Sequence, residues 1–239
     1  MREITQFAEY KVEIWRRPRQ RHMRLTVRPE GHIRITCNGR RSKREIFTFI
    51  ESSRDFIARC FRDLERQRCE NPQRQIISGE LFFYLGRRLP LQLIWSWKKR
   101  GSLQVVGDQI ELLAPVGASA EERRDLLQKY YRLEAQQLLL SRMAFWVEKM
   151  GRGPKQVVVR GQSTRWGSCS ASGQISLNWK LLCAPPEVLD YVIVHELAHL
   201  YHMDHSPRFW ALVEQFFPDW RAAKLWLRKH ESEIRAMFL

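Results

Sequence analysis

Residues Pro186 to Leu200, PEVLDYVIVHELAHL, constrain the fold more than any other stretch of the chain. Val188, Leu189, Val192, Ile193, Leu197 and Leu200 cover nearly the whole circumference of a helix. A helix that is apolar all round must be enclosed by the rest of its domain. The same helix carries His195, Glu196 and His199, and a buried His–Glu pair is expensive without compensation. Pro186 suits the first turn of that helix.

His195 and His199 are four residues apart, so on a helix they project about 40° apart, one turn up the same face. Both imidazoles then reach one tetrahedral metal at about 2.0–2.1 Å. Glu196 lies about 100° round, off the ligand face but well placed for a metal-bound water. This is the H-E-x-x-H arrangement, in which the glutamate is the general base. Two candidates remain for a third ligand. His202 shares the face but lies about 10.5 Å along the axis from His195, too far to converge on a straight helix. His205 reaches the metal only if the helix ends and the chain folds back. Met203-Asp204 and Ser206-Pro207 suit such a break, with Ser206 as cap and Pro207 opening a new helix. The expected ligands are therefore His195, His199 and His205 on one Zn²⁺ per chain, with His202 a supporting or substrate-facing residue. The spacing equals that of metzincins, with His202 in the place of their turn glycine.

Elsewhere the pattern alternates between strands and helices. EYKVEIW, HMRLTV and HIRIT read as strands, with RPEGH supplying a glycine turn. Ser42–Glu45 is a capping box opening one helix with Ile46, Phe49, Ile50, Phe56, Ile57, Cys60, Phe61 and Leu64 on its apolar positions. Residues 79–113 form a second strand-rich stretch. Ser119–Glu122 is another capping box, before a long helix to about Met150 that buries Leu126, Tyr130, Leu133, Leu138, Met143, Trp146 and Val147. GRGP ends it. QVVVRG and GQISLNW are strands flanking the turn-rich QSTRWGSCSAS, where Gly167 permits a tight turn. The expected class is α+β: a zincin-like core in 116–239, preceded by a β-rich basic region, 1–115, with one helix.

The net charge of +15 is uneven. Residues 1–115 carry 24 Lys and Arg against 13 Asp and Glu, and residues 116–239 carry 17 against 13. The excess is densest in RRPRQRHMR, Arg16–Arg24. Such a field attracts a nucleic acid, a nucleotide or an acidic protein. The five cysteines are odd in number and never at C-x-x-C spacing, which argues against a disulfide framework and a thiolate zinc site. No apolar run approaches the roughly 18 residues of a membrane span, and no signal-peptide core opens the chain. The compartment expected is the reducing cytoplasm.

The stretch TRWGSCSASGQISLNWKLLCAPPEVLDYVIVHELAHLYHMDHSPRFW resembles the YgjP-like metallopeptidase-domain family, relatives of the SprT-like zincin proteases. The matching residues are Arg165–Cys169, Leu177–Trp179, Pro186, Tyr191-Val192, the histidine motif with Leu200, His205-Ser206, Phe209-Trp210 and Phe216–Trp220. Tyr84–Leu93 and the early strands extend the resemblance over nearly the whole chain. It implies a zinc site of His195, His199 and His205 with Glu196 as catalyst. In zincins a strand before the metal helix often rims the cleft, and by that analogy QISLN is the edge that pairs with an extended peptide. Asn178 would then point into the cleft, and Arg165 is a candidate for substrate contact. Cys169 is not expected to be a nucleophile, since a zinc-bound water supplies one.

Three functions compete. The first is hydrolysis of a peptide bond, with Tyr201, His202, Arg165 and Arg208 as candidate oxyanion donors. The second is hydrolysis of a nucleotide phosphoanhydride at the same site, which the basic N-terminal half favours and the lack of a P-loop or magnesium carboxylates disfavours. The third is a protease recruited to nucleic acid through that basic half.

Overall fold

In the computed structural model, residues 2–28, 32–70, 74–162 and 164–238 are described. The chain divides into two compact units, 1–73 and 74–239.

The first unit is a four-stranded sheet with two helices. Strands β1 (Arg2–Phe7), β2 (Tyr10–Arg16), β3 (Arg24–Val27) and β4 (Ile33–Cys37) lie in the order β1-β2-β4-β3. β2 and β4 run parallel, while the other two pairs are antiparallel. Alternation places Val12, Ile14, Ile33, Ile35 and Cys37 on one buried face, against Ile46, Ile50 and Ile57. The helix expected after the Ser42 capping box is two: α1 (Lys43–Ser52) and α2 (Arg54–Glu70). The break falls where Ser52 and Ser53 both turn their hydroxyls back to the Phe49 carbonyl, competing with the helical ladder. Phe56 is exposed rather than buried. The glycine turn read in RPEGH and the side chain of Leu64 lie outside the described residues.

The second unit begins with β5 (Leu81–Tyr84), β6 (Arg87–Ser96), β7 (Ser102–Val106) and β8 (Gln109–Pro115), a sheet in the order β5-β6-β8-β7. The expected boundary near 115 is therefore displaced to 73/74. Phe82, Phe83, Leu89, Leu91, Ile110 and Leu112 belong to the same core as the histidine helix, so these strands cannot be parted from it.

Helix α3 (Ala120–Met150) opens on the Ser119–Glu122 capping box and closes on Gly151 at φ 74°. Its buried row is Leu127, Tyr131, Ala135, Leu139, Met143, Trp146 and Met150, with Leu133 on the outside at 50 % exposure. The expected row was turned about one residue from this one, sharing only Met143 and Trp146. The true row passes through Ala135, whose small side chain gives little pattern signal.

Strands β9 (Gln156–Arg160), β10 (Gly167–Cys169) and β11 (Gln174–Asn178) form the third sheet, ordered β10-β11-β9. A 3₁₀ turn, Trp179–Cys183, leads into α4 (Pro186–Ala198), with proline at its start. Helices α5 (Pro207–Phe216) and α6 (Trp220–Ala236) follow. α4 packs against α3, α5, α6 and β10. Val188, Leu189, Val192, Ile193, Val194, Leu197 and Ala198 are all buried, as an all-apolar helix requires. Among the described residues no helix is long and apolar enough to cross a membrane.

Candidate metal centre

The end of α4 builds the site. The helix stops at Ala198, and Leu200, Tyr201 and His202 close a tight turn by donating to Leu197 and Ala198 carbonyls at 2.9–3.0 Å. The chain then reverses into α5. The turn uses no left-handed residue, so His202 stands where metzincins place glycine without backbone strain. Ser206 occupies the N-cap position of α5 but makes no side-chain cap bond; its amide instead donates to Asp204 Oδ1 at 3.3 Å.

This reversal brings His205 back to the pair on α4. One ring nitrogen from each of His195, His199 and His205 lies within 4.8 Å of the others. Ring centroids are 4.8–5.1 Å apart. His195 Nε2 and His205 Nε2 are 3.2 Å apart. Two nitrogens held at about 2.0–2.1 Å from one tetrahedral ion are about 3.3 Å apart, so this pair already has the required separation. His199 Nδ1 donates to the His202 carbonyl at 3.2 Å, which leaves the lone pair on Nε2. The donor set and its spacing therefore fit zinc. The side chain of His202 stays outside the group of three.

The surroundings are aromatic, and His205 is open to solvent. Phe209, fully buried, lies 4.6–4.9 Å from all three rings. Trp210 flanks His195 and His205 and stacks on Trp220 at 4.2 Å. Burial pushes His195 down to about 3, helped by His199, His205 and Lys224, and burial also lowers His199. Both shifts favour the neutral ring, the form that binds metal.

Glu196 is only 5 % exposed, and its Oε2 has no hydrogen-bond partner. Burial raises its carboxyl to about 8 against the pull of Arg165. The side chain lies directly on β10. A Cβ added at Gly167 would fall 2.5 Å from Glu196 Oε1, 2.7 Å from Cγ and 2.8 Å from Cδ. Gly167 was expected to relieve a turn. It lies in a strand, outside the left-handed region, and its contribution is the space it leaves for the carboxylate.

Several expected contacts take other roles. Asn178 is fully buried. Its Nδ2 donates to the Gln162 and Arg165 carbonyls at 2.8 and 2.9 Å, and its Oδ1 accepts from the Lys180 amide. It stitches the loop before β10 to the 3₁₀ turn instead of facing a cleft. Tyr201 donates its hydroxyl to the Met150 carbonyl at 2.5 Å, tying the metal turn to the end of α3. That hydroxyl is not free to serve an oxyanion. QISLN is the central strand of its sheet, because the segment read as turns contributes β10 and takes the edge. Arg165 and Arg208 are exposed. Burial and then Glu196 raise the Cys169 thiol, which stays protonated, as suits a residue with no nucleophilic role.

Lys224 was not picked out from the sequence. Its ammonium lies over the Trp210 and Trp220 rings at 5.0 and 5.7 Å. The spacing of Trp220 and Lys224, one turn apart on a helix, was the available signal.

The donor set suits a metal-dependent hydrolase, and a family match assigns the metallopeptidase class. Residues 21–230 match the family described as YgjP-like, metallopeptidase domain, and the chain belongs to that family. The family implies a bound metal ion. Two solved structures are similar in part. The metallopeptidase zymogen abylysin of Pyrococcus abyssi is 29 % identical, over 41 % of this chain and 92 % of its own, with a TM-score of 0.33. The metallopeptidase zymogen jannalysin of Methanocaldococcus jannaschii is 16 % identical, over 38 % of this chain and 94 % of its own, with a TM-score of 0.35. No curated protein sequence matches the chain.

Proposed function

We propose that the chain is a zinc-dependent peptidase in which His195, His199 and His205 hold one Zn²⁺ and Glu196 is the general base. The observation that carries this is the convergence of three ring nitrogens within 4.8 Å beside a buried carboxylate one residue along α4. Bound zinc polarises a carbonyl and lowers the pKa of a water to about 7. The chain's own groups do the rest. With a bound cation beside it to hold the carboxyl ionised against the burial that raises it, Glu196 would take the proton of the attacking water at its unpartnered oxygen and return it to the leaving amine. Gly167 lets that carboxylate lie against β10. The outer side of β10 is a sheet edge beside the carboxylate, and an extended peptide is the ligand that such an edge pairs with. This supports a peptide or protein substrate over a phosphoanhydride. Among the described residues no second cluster of His, Cys, Asp or Glu offers a place for magnesium. Cys37, Cys60, Cys169 and Cys183 are free thiols, which suits the reducing cytoplasm we assign as its compartment.

The test assays the zinc-loaded protein against a peptide library and, in parallel, a panel of nucleoside triphosphates. Cleavage of peptides that Glu196→Gln abolishes is the expected result. Release of pyrophosphate or phosphate with no peptide cleavage would replace the reading with the phosphoanhydride one.

A further inference from the structure

The first unit holds a disproportionate share of the positive charge. Residues 1–73 carry 18 Lys and Arg against 10 Asp and Glu, a net of +8; the other 166 residues carry 23 against 16, a net of +7. The fold gathers much of that charge at one place. Because β2 and β4 are parallel, with Arg16 opposite Cys37, the chain leaves both strands at the same end of the sheet. Two arginine-rich segments some twenty residues apart in sequence therefore meet, Arg17–Arg21 after β2 and Asn38–Arg41 before α1. Between them lies an open groove of about 730 Å³ lined by Arg19, Arg21, Arg40 and Arg41 with one acid, Glu45.

The walls are fixed by the backbone. Arg17 N donates to the Cys37 carbonyl at 2.8 Å, and Asn38 Nδ2 to the Pro18 carbonyl at 3.3 Å. Arg16 Nη1 donates to the Gly39 and Arg41 carbonyls at 3.3 and 2.6 Å. Glu45 is already engaged by Ser42 and by Arg41 at 2.6 Å. Many arginines of this protein have acidic partners: Arg34 with Glu13, Arg88 with Glu233, Arg142 with Asp190, Arg221 with Glu214. Arg19, Arg21 and Arg40 are exposed, and among the described residues their guanidiniums have neither an ion pair nor a hydrogen bond, the Arg40 amide alone donating to Asn38 Oδ1. Three like charges held at one rim repel one another unless an anion joins them.

We propose that this groove binds the phosphodiester backbone of a single-stranded nucleic acid. Guanidinium forks match phosphate oxygens, and arginine supplies all three unpaired charges here. At about 730 Å³ the groove has room for a short run of one strand, and the duplex arm of the experiment below tests that choice. The site is independent of the metal centre.

The experiment measures binding of a labelled single-stranded oligonucleotide to the full chain by fluorescence anisotropy across salt concentrations. Three neutralised phosphates give a log–log slope of about −2, a loss of about 16-fold between 50 and 200 mM salt. The triple variant Arg19→Glu, Arg21→Glu, Arg40→Glu is expected to lose more than tenfold in affinity and most of the slope. Lys98→Glu, Lys99→Glu, Arg100→Glu changes net charge equally at an exposed loop of the other unit and is expected to keep both. Equal loss in the two triple variants would reduce the effect to overall charge and overturn the assignment. So would binding of a duplex, polyglutamate or a nucleoside triphosphate as tight as that of the single strand. Circular dichroism of both variants separates loss of binding from loss of fold.

Discussion

Replacing Gly167 with alanine tests the link between β10 and catalysis. The new methyl would sit 2.5–2.8 Å from three atoms of Glu196. Carbon contacts are comfortable at about 3.5–4.0 Å, so the carboxylate must retreat by about 1 Å. The backbone has no objection, because Gly167 is not in the left-handed region. Misplacing a reacting group by about 1 Å lowers rate by about 10²-fold. We expect kcat for peptide cleavage to fall by about that factor while KM and zinc content stay near those of the parent. Overpacking of this kind destabilises by about 1–3 kcal/mol, which a melting curve registers as a shift of several degrees with the fold retained. Steady-state kinetics on the zinc-loaded variant, with metal analysis alongside, decides the matter. Unchanged kcat would refute the positioning role. Loss of zinc in step with activity would refute it differently, by showing that β10 supports the histidines and not the glutamate.

His205→Ala is expected to weaken zinc binding by well over tenfold and His195→Ala or His199→Ala to abolish stoichiometric metal. His202→Ala, whose backbone carbonyl still receives His199, changes affinity by no more than about 10–100-fold. Chelator competition puts all four on one scale, and the reverse ranking of His202 and His205 would move the third ligand. Glu196→Gln should retain zinc and lose turnover by about 10²–10⁴-fold; metal loss in this variant would make Glu196 a ligand. Asp190→Ala leaves Arg142, a third exposed, without the bidentate partner that joins α4 to α3, and should destabilise by about 1.5–3 kcal/mol in chemical denaturation. A change under about 1 kcal/mol would mean that water replaces the carboxylate.

The histidine cluster was the most legible part of the sequence because its logic is local. Helical periodicity fixes His195 against His199, and Ser206-Pro207 marks the restart that lets the chain return. The capping boxes at Ser42 and Ser119 were equally local and appear as expected. What escaped was set by tertiary partners. The three residues of β10 carry no alternation long enough to register as a strand, and without them QISLN looked like an edge. Asn178 is polar in a motif next to the site, but its amide serves three backbone groups. No property of Gly167 in the sequence distinguishes a glycine needed for its backbone angle from one needed for its emptiness. Ala135 hid the buried row of α3 in the same way, by being small.

The boundary at 73/74 also says which side chains share an interior. The first unit has its own core, eight buried residues among those described, closed on one another and separate from the core of the second. The strands of 81–115 have no such freedom. Their apolar side chains are shared with α3 and α4, and Gly86 in the β5–β6 turn lies against Pro185 at the doorstep of α4, with no room for a side chain. A chain beginning at 116 would keep every histidine of the motif and still lack Phe82, Phe83, Leu89, Leu91, Ile110 and Leu112 from its interior. The hairpin at 81–96 and the histidine helix therefore stand or fall together, and a change of side-chain volume in one is felt by the other.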